Sequence, residues 1–126
     1  MDSVVHFEIP AQNVSRARKF YSSIFGWKTE SYPQMDYTIL HTVAMDKKTR
    51  RPKTPGAING GMMKRSQKVR APVIYMYVRS IDSTLSRVKK QKGKVVQGKT
   101  HVQGNMYTAY FKDSEGNVMG LVQGMM

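Results

Sequence analysis

Residues 13–26 read NVSRARKFYSSIFG and residues 80–93 read SIDSTLSRVKKQKG, and the fold turns on whether these are two copies of one unit. Each opens on a residue whose side-chain oxygen accepts a backbone N–H, Asn13 in one and Ser80 in the other. Val14, Ala17, Tyr21, Ile24 and Phe25 recur at helical spacing in the first, and Ile81, Leu85 and Val88 in the second. Gly26 and Gly93 supply the stops. A slide of 67 residues lays Asn13 on Ser80, Val14 on Ile81, Tyr21 on Val88 and Gly26 on Gly93.

The flanks repeat as well. Ser3–Ile9 alternates, with Val5, Phe7 and Ile9 on one face and His6 and Glu8 on the other, which predicts a half-buried strand ended by Pro10. Val73–Val78 alternates likewise, Ile74, Met76 and Val78 against Val73, Tyr75 and Tyr77. Strands are expected at Trp27–Tyr32, Asp36–Ala44 and Gly56–Met63 after the first helix. Lys94–Val96, Met106–Phe111 and the stretch from Val118 onward follow the second. Tyr37-Thr38 is placed opposite Tyr107-Thr108. Lys47–Pro55, too polar and proline-rich for a regular element, reads as a mobile basic loop. Each half is then strand, helix, three strands: a duplicated supersecondary unit in one 126-residue α+β domain, module 1 about 1–65 and module 2 about 70–126.

Composition narrows the function. There are no cysteines, which excludes disulfides, cysteine-ligated zinc and thiol nucleophiles. No apolar run approaches a membrane span, and MDSVVHFEIP carries no basic region ahead of its apolar residues, so the expectation is a soluble cytoplasmic protein with no membrane partner. The net charge is +13, and Lys47–Lys99 holds sixteen Lys or Arg against one acid, Asp82. That field favours neutral or anionic partners. Nucleic acid, lacking stacking aromatics among the basic runs, is expected to bind only non-specifically.

Three stretches carry a family resemblance: VVHFEIPAQNVSRARKFYSSIFGWKTE, YVRSIDSTLSRVKKQKGKVV and FKDSEGNVMGLVQ. They resemble the vicinal oxygen chelate proteins, the superfamily of glyoxalases, bleomycin-resistance proteins and extradiol dioxygenases, and the likeness covers essentially the whole chain. It implies two tandem βαβββ modules whose curved mixed sheets form a cavity, helices outside, usually as a homodimer. Metal-dependent members place one ligand on the first and fourth strands of each module. Carried over, those positions are His6, Gly61 (Gly60 if the register slips), Val73 and Gly120. Only His6 has a donor, so the expectation is no metal cofactor. The alternative is a divalent ion at a relocated site with Glu8 and His41 or His101.

The expected function is binding of a small neutral or anionic organic molecule in the cavity, with Tyr37, Met62, Tyr75, Tyr77 and Tyr107 as lining candidates. His6 and Glu8, two apart on one strand face, are the candidate acid/base pair if the chain is a glyoxalase-like lyase or isomerase. A basic nucleic-acid-binding module is the remaining alternative. GKVVQGKT, Gly93–Thr100, matches the phosphate-loop pattern in letters alone. A helix precedes it and a strand follows, the reverse of what a phosphate cradle needs, so Lys99 is read as a surface charge.

Overall fold

A computed structural model describes residues 1–124. The chain forms two compact units, one of His6–Pro72 and the other of Met1–Val5 with the chain from Val73 onward. In the first unit the order is β1 (Val4–Ala11), α1 (Val14–Phe25), β2 (Lys28–Tyr32), a 3-10 turn at Pro33–Met35, β3 (Tyr37–His41) and β4 (Gly60–Lys64). The sheet order is β2-β3-β4-β1, with β4 parallel to β1 and the other pairs antiparallel. The second unit runs β5 (Val73–Tyr77), α2 (Ile81–Lys90), β6 (Lys94–Gln103), β7 (Met106–Lys112) and β8 (Val118–Gln123). Its order is β5-β8-β7-β6, with β8 parallel to β5. The βαβββ unit does occur twice. Among the described residues no helix is long and apolar enough to cross a membrane.

Local chemistry explains the boundaries. Asn13 Oδ1 accepts from Arg16 N at 2.9 Å and Ser80 Oγ from Ser83 N at 3.1 Å, so both helices start where the caps sit. Gly26 ends α1 in the left-handed region, φ 70°. The second helix ends differently. Lys92 takes the left-handed turn, φ 71°, and Gly93 is needed for closeness instead: a Cβ there would stand 2.6 Å from the Lys112 carbonyl and from Val88. Pro10 does not end β1, which continues to Ala11. Arg65 N donates to the Ala11 carbonyl, so Ala11 turns its polar groups toward β4 and Pro10 turns its own away; the ladder to β4 loses no donor.

Each unit has its own core. Leu40, Met62 and Ala11 are buried with Phe7, Ile9, Val14, Ala17, Tyr21 and Trp27 in the first. Arg18 donates twice to Thr29 Oγ1, at 2.8 and 3.0 Å, tying α1 to β2, and Tyr21 stacks on Trp27 at 5.2 Å. Val5, expected under this helix, is exposed, as are Ile24 and Phe25 near the end of α1. The second core gathers Val78, Ile81, Leu85, Ala109 and Leu121. There the Ile81 N–H donates to Gln123 Oε1 at 2.8 Å, fixing the start of α2 on β8.

Lys47–Pro55 is more regular than its composition predicts. Met45 and Pro52 form an antiparallel bridge, and Lys53 N donates to the Ala44 carbonyl at 2.8 Å. The segment is a hydrogen-bonded reversal with Asp46 at its corner.

Candidate functional site

Glu8 of β1 and Gly61 of β4 face each other across their ladder, and Ile39 faces Gly61 from β3. Alternation then puts His6, Glu8, Gly61, Ile39, Tyr37 and His41 on the face opposite α1. Phe7 and Gly60 lie on the helix face, so of the two registers it is Gly61 that sits beside Glu8. Both glycines are required by rings. A Cβ on Gly60 would meet the Phe7 ring at 2.6 Å, and one on Gly61 would collide with the Tyr37 phenol.

Tyr37 Oη donates to Glu8 Oε2 at 2.9 Å and lies 2.8 Å from His6 Nε2. Glu8 is 4% exposed, and a carboxylate can only accept, which fixes the direction of the row. The phenol proton goes to Glu8, so His6 donates through Nε2–H to the phenol oxygen. Burial pushes the His6 imidazole down to about 4, which keeps it neutral and able to play that part. The result is a one-way hydrogen-bonded row, His6 to Tyr37 to Glu8. Charge-assisted bonds of this kind are the stronger class.

The second unit repeats the geometry with other side chains. Tyr75 and Tyr110 both face Gly120 across their ladders. A Cβ on Gly120 would stand 2.6 Å from the Tyr75 ring. Tyr75 Oη donates to Tyr110 Oη at 2.7 Å, the rings meeting edge-on at 5.8 Å. By register Tyr75 holds the place of Glu8, and Val73 that of His6.

Of the residues singled out in the sequence, His6, Glu8 and Tyr37 come together in the first unit. Tyr75 is buried beside Gly120, and Tyr77 is exposed on the same face of β5. Met62 is fully buried with Leu40 on the helix side of its sheet, although it borders an open groove of about 500 Å³ shared with Tyr37, Asp36 and Lys64. Tyr107 packs against the α2-side core, with the His101 ring at 5.1 Å and Lys99 Nζ 4.7 Å from its centroid. The placement of Tyr37 opposite Tyr107 is thus one residue out: Ile39 matches Tyr110, and Tyr37 matches Thr108. A slip of one turns a side chain to the other face. Tyr110, which sequence reading missed, carries the phenol that Tyr107 was expected to supply; the β7 register alone could have found it.

A divalent ion does not fit these positions. Gly61, Val73 and Gly120 bring no donor, a tyrosine ring fills the space beside each glycine, and about three protein ligands are required. Among the described residues no three His, Asp or Glu side chains cluster. His41 pairs instead with Glu30 at 3.3 Å, and His101 Nε2 lies 2.8 Å from the Gly104 carbonyl. GKVVQGKT begins in the turn after α2 and continues on β6, with no helix after Thr100 among the described residues.

Sequence comparison with curated proteins finds no match. Among solved structures, methylmalonyl-CoA epimerase from Mycobacterium tuberculosis is similar at TM-score 0.63 and 15% identity, over 98% of this chain and 88% of that one. A hypothetical protein from Bacillus halodurans C-125 reaches 0.64 at 13% identity, over 99% and 96%. A glyoxalase/bleomycin resistance protein/dioxygenase superfamily member from Vibrio splendidus 12B01 reaches 0.62 at 11%, over 99% and 100%. Likeness at these identities speaks for the fold. A family model matches residues 3–121, and the chain belongs to the Glyoxalase/Bleomycin resistance protein/Dioxygenase superfamily.

Proposed function

We propose that this chain binds a small neutral or anionic organic molecule without a catalytic metal, and that the His6–Tyr37–Glu8 row is its polar anchor. The row itself carries the reading. A buried carboxylate, a phenol and a neutral imidazole offer a ligand fixed donors and acceptors, and fixed groups cost little to reorganise on binding. The +13 net charge draws anions toward the chain and repels cations. A ligand with its own O–H or N–H to give would suit Glu8. In the other unit, Tyr75 and Tyr110 form a separate ring surface of the kind on which organic ligands stack. The protein is placed in the cytoplasm and as a homodimer in this reading, which light scattering at micromolar concentration checks.

A thermal-shift screen of neutral, anionic and cationic organic molecules tests it. Stabilising hits should come from the first two groups, and Tyr37→Phe should lose them. Elemental analysis after expression with added zinc, nickel and iron should find well under one ion per chain. One ion per chain, lost in His6→Ala, would restore the metal-dependent lyase.

A second reading rests on the same row. Glu8 beside a phenol has the carboxyl chemistry of a general base, which fits a lyase or isomerase reaction on a carbon acid. Proton–deuterium exchange into a bound hit, absent in Glu8→Gln, would favour it over binding alone.

A further inference from the structure

Lys47–Lys53 reads KKTRRPK, five cations in seven residues. Such runs are often disordered, because like charges repel and nothing offsets the entropy of fixing them. This one is folded. Asp46 N donates to the Arg51 carbonyl and Arg50 N to the Asp46 carbonyl, both at 2.8 Å, and Arg50 takes the left-handed conformation, φ 62°. Asp46 Oδ1 accepts from the backbone of Lys48 at 2.8 Å and of Thr49 at 2.9 Å.

Asp46 is the one acid adjoining the run, and its carboxylate is committed to backbone N–H groups rather than to the neighbouring cations. Those same donors, Thr49 first and then Lys48, hold it below the ordinary carboxylate range. All five cations are exposed, and the ion pairs found among the described residues, His41–Glu30 and Lys99–Asp82, use none of them. Glu30 does sense Arg50, but least among its neighbours; His41 is its partner. Asp46 does sense Lys53, as the weakest influence on it, so the hairpin holds five exposed cations on a closed turn, none of them in an ion pair among the described residues.

The chemistry of the tip selects the partner. Lys47 to Arg51 contains no apolar side chain to enter a lipid surface and no aromatic ring to stack on a base. What remains is charge at short, fixed spacing, which matches closely spaced phosphodiesters. We propose that the Asp46–Lys53 hairpin is a docking element for the phosphate backbone of double-stranded nucleic acid, indifferent to sequence and separate from the small-molecule anchor.

Fluorescence anisotropy with two unrelated DNA duplexes across a salt series tests this. The two duplexes should bind alike, with log affinity falling linearly in log salt. Replacing Lys47, Lys48, Arg50, Arg51 and Lys53 by Gln should make that slope shallower by about 3–4, near 0.9 for each phosphate no longer neutralised. Affinity at low salt should fall at least tenfold. Replacing Arg79, Arg87, Lys89, Lys90 and Lys92 by Gln removes the same charge elsewhere and should change the slope by less than about 1. Asp46→Ala makes the protein more positive, yet should bind several-fold more weakly, because it opens the turn. Circular dichroism melts confirm that each variant is folded. Equal loss in the two five-residue variants, or tighter binding by Asp46→Ala, would mean diffuse charge and overturn the proposal. Anionic vesicles bound as tightly as duplex at the same salt would overturn it in favour of a membrane surface.

Discussion

Each module lays a tyrosine ring against a glycine of its last strand, and the two rings have different company. In the first, Tyr37 reaches over Gly61 to bond Glu8 and His6, a titratable row with a buried carboxylate at its end. In the second, Tyr75 lies over Gly120 and bonds another phenol, Tyr110. The ladder equates Glu8 with Tyr75 and His6 with Val73, so the duplicated frame is the same while the chemistry has separated. One module keeps a carboxyl and an imidazole joined through a phenol. The other keeps two phenols bonded to each other. On the reading proposed above, acid–base work falls to the first module and ring contacts to the second.

The contrast breaks most visibly at the glycines. Gly61→Ala must displace the Tyr37 phenol, which strips a donor from the buried Glu8 and an acceptor from His6. Overpacking and an under-satisfied buried carboxylate together cost about 3–5 kcal/mol. Gly120→Ala must shift the Tyr75 ring from 2.6 Å, at a cost of about 1–3 kcal/mol, and leaves no charge stranded. Urea unfolding of the two variants measures the difference. Equal costs would mean that the row in the first module is packing alone.

Stability against pH separates the modules next. His6 stays unprotonated in the folded chain until about pH 4, whereas the unfolded chain takes up that proton near 6.5. The unfolded state therefore binds more protons between those values. The contribution is fully present above pH 6.5 and is lost as pH falls toward 4, amounting to roughly 3 kcal/mol at about 1.4 per pKa unit. His6→Gln should flatten unfolding free energy across that window. No corresponding loss should follow Val73→Thr, since nothing in that place titrates.

Phenol removal is a smaller and cleaner comparison. Tyr37→Phe takes a charge-assisted bond from Glu8 and should cost about 2–3 kcal/mol. Tyr75→Phe removes a neutral bond of 2.7 Å and should cost about 1 kcal/mol. A double-mutant cycle of Tyr37→Phe with Glu8→Gln should show coupling, read from denaturation midpoints. Independent effects would detach the two residues from one another.

How much of this was legible in the sequence depends on the range of the interaction. The caps at Asn13 and Ser80 and the stop at Gly26 are local, and their spacing gave both helices and the duplication. His6 and Glu8 fall on one face because strand alternation is local too. What failed needed a partner strand. Tyr107 and Tyr110 both fit β7, and only pairing with β8 decides which phenol meets Tyr75. Pro10 reads as a stop until the direction of the Ala11 carbonyl is known. The adjacent Gly60 and Gly61 look alike in the sequence, yet one makes room for Phe7 and the other for Tyr37, on opposite faces. The order in the basic run came from Asp46, a single Asx-type corner whose effect outweighs the composition around it.

The smallest expected effect tests whether the second module has any chemistry of its own, at Lys99. GKVVQGKT invites a nucleotide-phosphate reading, but Lys94 to Gln103 form β6, a strand with irregular pairing to β7, and a strand cannot converge its amides on a phosphate. Lys99 has local occupations instead. Its Nζ lies 4.7 Å from the Tyr107 centroid and 3.7 Å from Asp82 Oδ2, and both partners are interactions of modest worth at a surface. Lys99→Ala should therefore cost no more than about 1 kcal/mol of stability. Weak ATP association driven by net charge should survive the change, fade with added salt, show little preference over inorganic triphosphate and need no magnesium. A fluorescent-nucleotide titration of both proteins at low and physiological salt reads all four properties. Tight, magnesium-dependent binding abolished by Lys99→Ala would give the second module a phosphate site, and the division of labour drawn from Glu8 and Tyr75 would fail with it.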